Sequence, residues 1–176
     1  MQRRNLIMWC TVAKWASAIA VTTLLVSNKP AVAASDSTGV AVVARLYRDF
    51  GWQAFAIQHE VFGEGVTHQG KEVLGRYFSR DLGRLLVEDA ACQKRERGIC
   101  QLDFDILFNA QDPVVTDLEL TVLAPGKVLV RFKNPMSREV FAIEYRLARA
   151  AGRWRIADVV YGQQDGRSLK RTLQGR

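Results

Sequence analysis

Histidine is scarce: His59 and His68 are the only two in 176 residues, beside three cysteines. A structural zinc site takes four nitrogen or sulfur ligands at short spacings. The two histidines stand well upstream of the pair Cys92 and Cys100, so no metal site is expected. No glycine-rich phosphate loop and no Gly-x-Ser-x-Gly elbow occurs, which removes nucleotide-loop and nucleophile-elbow chemistry. No cofactor is expected either. Internal repeats and low-complexity stretches are absent, which excludes a solenoid. Acid is missing from one region altogether: the first 34 residues hold Arg3, Arg4, Lys14 and Lys29 and no Asp or Glu. Much of the formal charge of +7 therefore belongs to that region, and no block of five like charges follows it. This argues against a nucleic-acid partner, whose binders carry a basic stripe on the folded domain.

The acid-free region has the order of a secretory leader. "MQRRNLIMWCTVAK" is basic, "WASAIAVTTLLVSN" is an uncharged, mostly apolar run from Trp15 to Asn28, and "KPAVAAS" presents small residues at Ala31 and Ala33. A spanning helix needs about 20 apolar residues, and Lys14 and Lys29 hold this run to 14. Residues 1–33 are therefore expected to be a signal peptide cleaved near Ala33 or Ala34. The expected location is the periplasm or outside the cell, with a membrane link only through an uncleaved leader. Residues 34–37 read as a linker, 38–173 as one domain and 174–176 as a tail.

Export changes the reading of the cysteines. Cys10 departs with the leader, leaving Cys92 and Cys100 as an even pair. In an oxidising compartment such a pair bridges. A redox pair favours Cys-x-x-Cys instead. The expected bond is a staple across a turn at Gly98.

Periodicity sets out the rest. Val40, Val43, Leu46, Tyr47 and Phe50 share a helical face, with Ser37 or Thr38 as its cap. Val73, Leu74, Tyr77 and Phe78 predict a second helix. Leu82, Leu85, Leu86 and Ala90 predict a third, separated from the second near a cap at Ser79. From Val114 the period becomes two. Two strands meet at a type II turn at Pro125-Gly126 and two more at Ala150 to Gly152. Phe141, Ile143, Tyr145 and Leu147 share one face of the third strand; Trp154, Ile156, Asp158 and Val160 share one face of the fourth. Leu169 and Leu173 predict a short closing helix. The expected class is α+β: N-terminal helices packed on a curved antiparallel sheet of about four strands, then a short C-terminal helix.

Four stretches carry a resemblance: "VARLYRDF", "CQLDFDILFNAQDP", "GRWRIADVVYG" and "GRSLKRTL". Together, from Thr38 to Leu173, they resemble a family of exported bacterial domains of unknown function, similar to the nuclear-transport-factor-two-like cone fold. That superfamily includes ketosteroid isomerase-like and scytalone dehydratase-like enzymes. The resemblance implies a curved sheet wrapped around helices with a cavity at its open end. Its enzymes use a cavity carboxylate or a His-Asp pair as base, and no such pair matches this chain residue by residue.

Candidate pocket residues follow from polarity in context. Asp103, Asp105, Asn109, Gln111 and Asp112 crowd "LDFDILFNAQD". They can line a pocket that binds a cation or a polar ligand, or Asp105 can cap a turn through Asn109 that ends at Asp112-Pro113. A calcium loop is excluded, because Leu107 and Phe108 stand where a ligand and a Gly are needed. Asp158, by strict alternation, falls on the covered face, where a carboxylate needs a partner or a raised pKa. Arg131, Arg146 and Arg155 are the partners that strand position suggests, and a β-bulge is the way for it to turn outward. Tyr145 offers an inward hydroxyl. His59 and His68 flank a glycine loop and read as surface residues, with His59 as the alternative base.

Two functional classes remain. One is an exported non-catalytic binding or accessory domain, with an unidentified protein partner or small ligand in its cavity; an immunity-type protein belongs here. The other is a small hydrolase, isomerase or dehydratase with a carboxylate base.

Overall fold

In the computed structural model the described residues are 38–54, 63–162 and 166–175. The expected leader and linker, Cys10, Ser37, His59 and the last residue of the tail lie outside them. The described residues belong to one unit, 33–176.

Helix α1 spans Gly39–Phe50 and buries Val42, Val43, Leu46, Tyr47 and Phe50. Thr38 is its N-cap in extended backbone, but the Thr38 side chain makes no cap bond to the helix. A 3-10 turn, Gly51–Ala54, continues it, and a second one spans Val66–His68.

The second helix of the sequence reading shrinks to α2, Lys71–Leu74. Its continuation is claimed by the sheet. The Ser79 amide donates to the Ile156 carbonyl at 2.8 Å, and the Ile156 amide donates to the Tyr77 carbonyl at 2.8 Å. An open strand edge offers unpaired backbone groups, and Tyr77–Ser79 satisfy some of them. Helix α3, Arg80–Glu96, then starts where expected, with Ser79 Oγ accepting from the Leu82 amide at 3.3 Å. It stops at Arg97, whose φ of 55° is left-handed.

Five antiparallel strands lie in sequence order: β1 Thr116–Ala124, β2 Lys127–Lys133, β3 Val140–Ala150, β4 Arg153–Tyr161 and β5 Arg167–Ser168. The fifth, two residues long, extends the expected four. The sheet is open, and α4, Leu169–Leu173, closes the chain. Both tight turns follow their residues. Gly126 has φ 78° between Ala124 and Lys127, as the third position of a type II turn requires. Ala151 and Gly152 have φ 49° and 75°, the left-handed pair of a type I′ hairpin.

The core joins Leu46 of α1, Leu82 and Leu86 of α3, Ile106 to Phe108, Val128 and Val130 of β2, Ile143 and Tyr145 of β3, and Leu169 and Leu173 of α4. In β4 the alternation breaks. Arg146 pairs with Asp158 and Leu147 with Ile156, so Ala157 is an extra residue. Ile156, Val159 and Tyr161 then belong to the core, three and two residues apart. Asp158 is thereby out of step with Ile156, a correction to strict alternation through Val160.

Candidate functional site

The segment Leu102–Asp112 builds the site, and Asp105 organises it. Its Oδ1 accepts the amides of Leu107 at 2.7 Å and Phe108 at 3.1 Å. Its own amide and carbonyl close the turn, through the Ala110 carbonyl at 2.8 Å and the Asn109 amide at 2.7 Å. Asn109 completes the turn with φ 53°, a left-handed conformation that Asn tolerates. The cap-and-turn alternative is therefore what the local backbone does.

Below the turn sits a tyrosine layer. Tyr145 Oη donates to Tyr47 Oη at 2.9 Å, Tyr47 Oη donates to the Leu107 carbonyl at 2.6 Å, and Tyr161 Oη donates to the Ile106 carbonyl at 3.1 Å. All three rings are buried. Burial raises all three phenols above the ordinary tyrosine range, so they stay neutral donors. Tyr145 thus serves the core and anchors the turn from beneath.

The other Asp105 oxygen accepts from Gln53 Nε2, while Gln53 Oε1 accepts the Val66 amide at 3.1 Å. One glutamine therefore ties the end of α1's extension to the Asp105 turn and to the glycine loop. Burial pushes the Asp105 carboxyl from its ordinary 3.8 up to about 6, against the opposing pull of the Leu107, Phe108 and Gln53 donors. Desolvation outweighs the three donors.

Around this wall opens a cleft of about 1380 Å³ that includes Gln53, Asp103, Asp105, Gln111, Asp112 and His68. Asp103 and Gln111 are exposed on it. Asn109 is not on the cleft: its Oδ1 accepts from Arg167 Nη2 at 2.5 Å, and that guanidinium lies 4.2 Å from the Phe104 ring centre. Asp158 stands elsewhere too. It accepts from Ser168 Oγ at 2.7 Å, the Lys170 amide at 3.0 Å and the Val159 amide at 2.9 Å. Arg146 turns to Glu144 at 2.8 Å and Arg155 to the Gly75 carbonyl at 2.9 Å, so the expected arginine partnership gives way to a cap on α4. Of the six candidates, Asp103, Asp105 and Gln111 meet at the cleft. Tyr145 is buried in the tyrosine layer beneath the Asp105 turn, and Asn109 and Asp158 hold structure elsewhere.

A second anchor feeds the same wall. Cys92 and Cys100 are at disulfide distance, with Cα atoms 6.2 Å apart. Beside them Asp89, 6% exposed, accepts the Gln101 amide at 2.8 Å and Gln93 Nε2 at 2.7 Å. Gln93 Nε2 also reaches the Leu102 carbonyl at 3.2 Å. Asp89 was legible in principle: it falls seven residues after Leu82, on the stripe of Leu85 and Leu86. Asp89 thus stands on this face beside Ala90, the position expected there. Nothing in the sequence marks Gln53, whose partners lie far along the chain.

Among the described residues no three His, Cys, Asp or Glu side chains gather to hold a metal ion, and no helix is long and apolar enough to cross a membrane. The latter and the cysteine pair are compatible with an extracellular or periplasmic protein. Comparison with protein-family models, with curated proteins and with solved structures yields no match.

Proposed function

We propose that this chain is an exported, non-catalytic binding or accessory domain, active in the periplasm or outside the cell after loss of residues 1–33. Its ligand, a protein segment or a small polar molecule, sits in the cleft bordered by Gln53, Asp103, Asp105 and Gln111. The plan of helices over a curved sheet, related to the nuclear-transport-factor-two-like cones, is part of the same proposal. So is the immunity-type case, in which the partner is a protein that this domain neutralises.

The observation that carries the reading is how the cleft wall is made. Asp105 commits both oxygens to turn amides and to Gln53, so the wall is rigid. Exposed Asp103 and Gln111 stand beside it as recognition groups. Rigid walls with a few outward polar groups suit binding, since little order is lost when a ligand enters.

A second reading, a cavity enzyme with Asp105 as base, has one observation in its favour. A carboxyl pushed up to about 6 at a cleft wall is poised for proton transfer near neutral pH. The same experiment serves both. Periplasmic extract is passed over the wild type and over an Asp103→Ala/Gln111→Ala double variant. A stoichiometric partner held by the wild type and lost by the variant supports the cleft; equal retention by both defeats it. A bound small molecule returned unchanged keeps the binding reading. One returned as a different compound by the wild type, but unchanged by Asp105→Asn, moves the protein to the second. Intact mass of periplasmic protein tests export, and a mass that includes Met1 to Ala33 counts against cleavage.

A further inference from the structure

A second cleft, of about 570 Å³, lies away from the Asp105 turn, and its lining is unusual in charge. Nine residues form it, of which five are arginines, Arg45, Arg48, Arg76, Arg153 and Arg155, against one carboxylate, Asp49. They come from three separate places: α1, the turn after α2, and the start of β4. The Phe78–Ile156 bridge brings the last two together.

The one carboxylate is already engaged. Asp49 Oδ2 accepts from Tyr77 Oη at 2.5 Å and Oδ1 from Arg48 Nε at 2.9 Å. Burial pushes the Asp49 carboxyl up, but Tyr77 and Arg48 outweigh it and hold the group below the ordinary carboxylate range. Tyr77, desolvated and bonded to Asp49, is pushed up to about 12. Arg76 pairs with Glu72 at 3.0 Å, both side chains solvent-exposed, the weak and easily exchanged kind of ion pair. Arg155 is braced by the Gly75 and Trp154 carbonyls at 2.9 and 2.8 Å. Burial lowers its pKa first, and the charges of Arg153 and Arg45 lower it further. The guanidinium groups therefore feel one another, and a multiply charged anion relieves that repulsion.

We propose that this cleft binds a small anion carrying two or more phosphate-type charges, a pyrophosphate group or a bisphosphorylated molecule. Guanidinium forks match phosphate oxygens two at a time, and arginine keeps its charge at any physiological pH. The volume is that of a small-ligand site. Half-buried Trp154 and the buried Val42 give it an apolar wall for the rest of such a molecule. A membrane surface fits less well: the exposed large apolar residues Ile99, Val114, Leu118, Val122, Leu123, Met136 and Val140 are not among its lining.

The test is calorimetric titration of the full chain with pyrophosphate, beside vesicles of phosphatidylglycerol. The expected result is saturable one-to-one pyrophosphate binding that weakens with added salt. Arg48→Gln/Arg153→Gln is expected to weaken it by about tenfold or more, with only a small fall in melting temperature, because both side chains are exposed and the Arg48–Asp49 pair is a surface one. Arg153→Lys, which keeps the charge and loses the fork, is expected to fall between. Single Arg48→Gln repeats the reading if the double variant misfolds. Absence of saturable binding, equal affinity in the variants, or binding to vesicles alone would each overturn the proposal. Asp103→Ala/Gln111→Ala should leave pyrophosphate affinity unchanged, which separates this site from the first cleft.

Discussion

The Asp105 cleft and the arginine cleft differ in what their charged groups already touch. At the first, a half-buried, desolvated carboxylate is engaged by the turn it organises and by Gln53. At the second, guanidinium groups outnumber carboxylates, and Arg76 and Arg155 make their contacts with an exposed acid and with backbone carbonyls. A buried charge must be satisfied for the fold to exist, so its first role is structural. Surplus like charge in a concave site is tolerated by solvent and counterions, and it favours an oppositely charged ligand. The polar residues that look most like a site thus hold the fold, while the arginines that look like ordinary surface charge gather as a surplus in one cleft.

The largest expected effect strikes the first cleft. Asp105→Ala leaves the Leu107 and Phe108 amides and Gln53 without their acceptor, and should cost about 3 kcal/mol in denaturant unfolding. Asp103→Ala, two residues away and exposed, should stay within about 0.5 kcal/mol. Equal effects from the two would erase the distinction drawn between wall and rim.

Loss of the staple comes next. Cys92→Ser/Cys100→Ser should lower stability by about 2.5 kcal/mol through loop entropy. It should loosen the Gln93 and Leu102 side of the first cleft while sparing pyrophosphate titration at the second. Thiol labelling of exported, denatured protein should find neither cysteine free. Two labelled cysteines would remove the staple from the account.

The pH dependence sharpens the same contrast. The folded Asp105 carboxyl binds its proton more tightly than the unfolded one, 3.8 rising to about 6. Its contribution to stability is therefore full below about pH 4 and is lost as pH rises to about 6. Asp49, held low, has the opposite sign: its contribution is present above the ordinary carboxylate range and lost as pH falls through it. Subtracting the unfolding free energies of Asp105→Asn from wild type isolates the first slope. A flat difference from pH 4 to 6 would show that Asp105 is not desolvated.

A smaller effect is expected at Asp158. As a cap for α4 rather than an arginine's buried partner, Asp158→Asn should cost about 1 kcal/mol. A loss of the 3–5 kcal/mol typical of a stranded buried charge would restore the ion pair.

Local pattern was enough for much of the fold. The faces of α1 and α3, the Ser79 cap, both hairpin turns and the cysteine pairing depend on residues within a few positions of one another, where period, φ preference and short loops decide. Asp105 as a turn former belongs there too, since its partners are two and three residues away. Legibility failed where distant segments compete. The second predicted helix stops because Tyr77 and Ser79 pair with Ile156. Strict alternation failed at Asp158 because an extra residue, Ala157, resets β4. Asn109 left the candidate cluster for Arg167, which stacks on Phe104.

What the sequence by itself determined is the faces of α1 and α3, the two hairpins, the cysteine pairing and the turn that Asp105 caps, because each arises from neighbours along the chain. Only the tertiary structure decided that Gln53 meets Asp105, that three tyrosine hydroxyls converge beneath one turn, and that Arg45, Arg76 and Arg155 share a cleft. Those meetings join segments far apart in the chain. They are set by packing across the whole domain, where no residue's immediate neighbours carry the information.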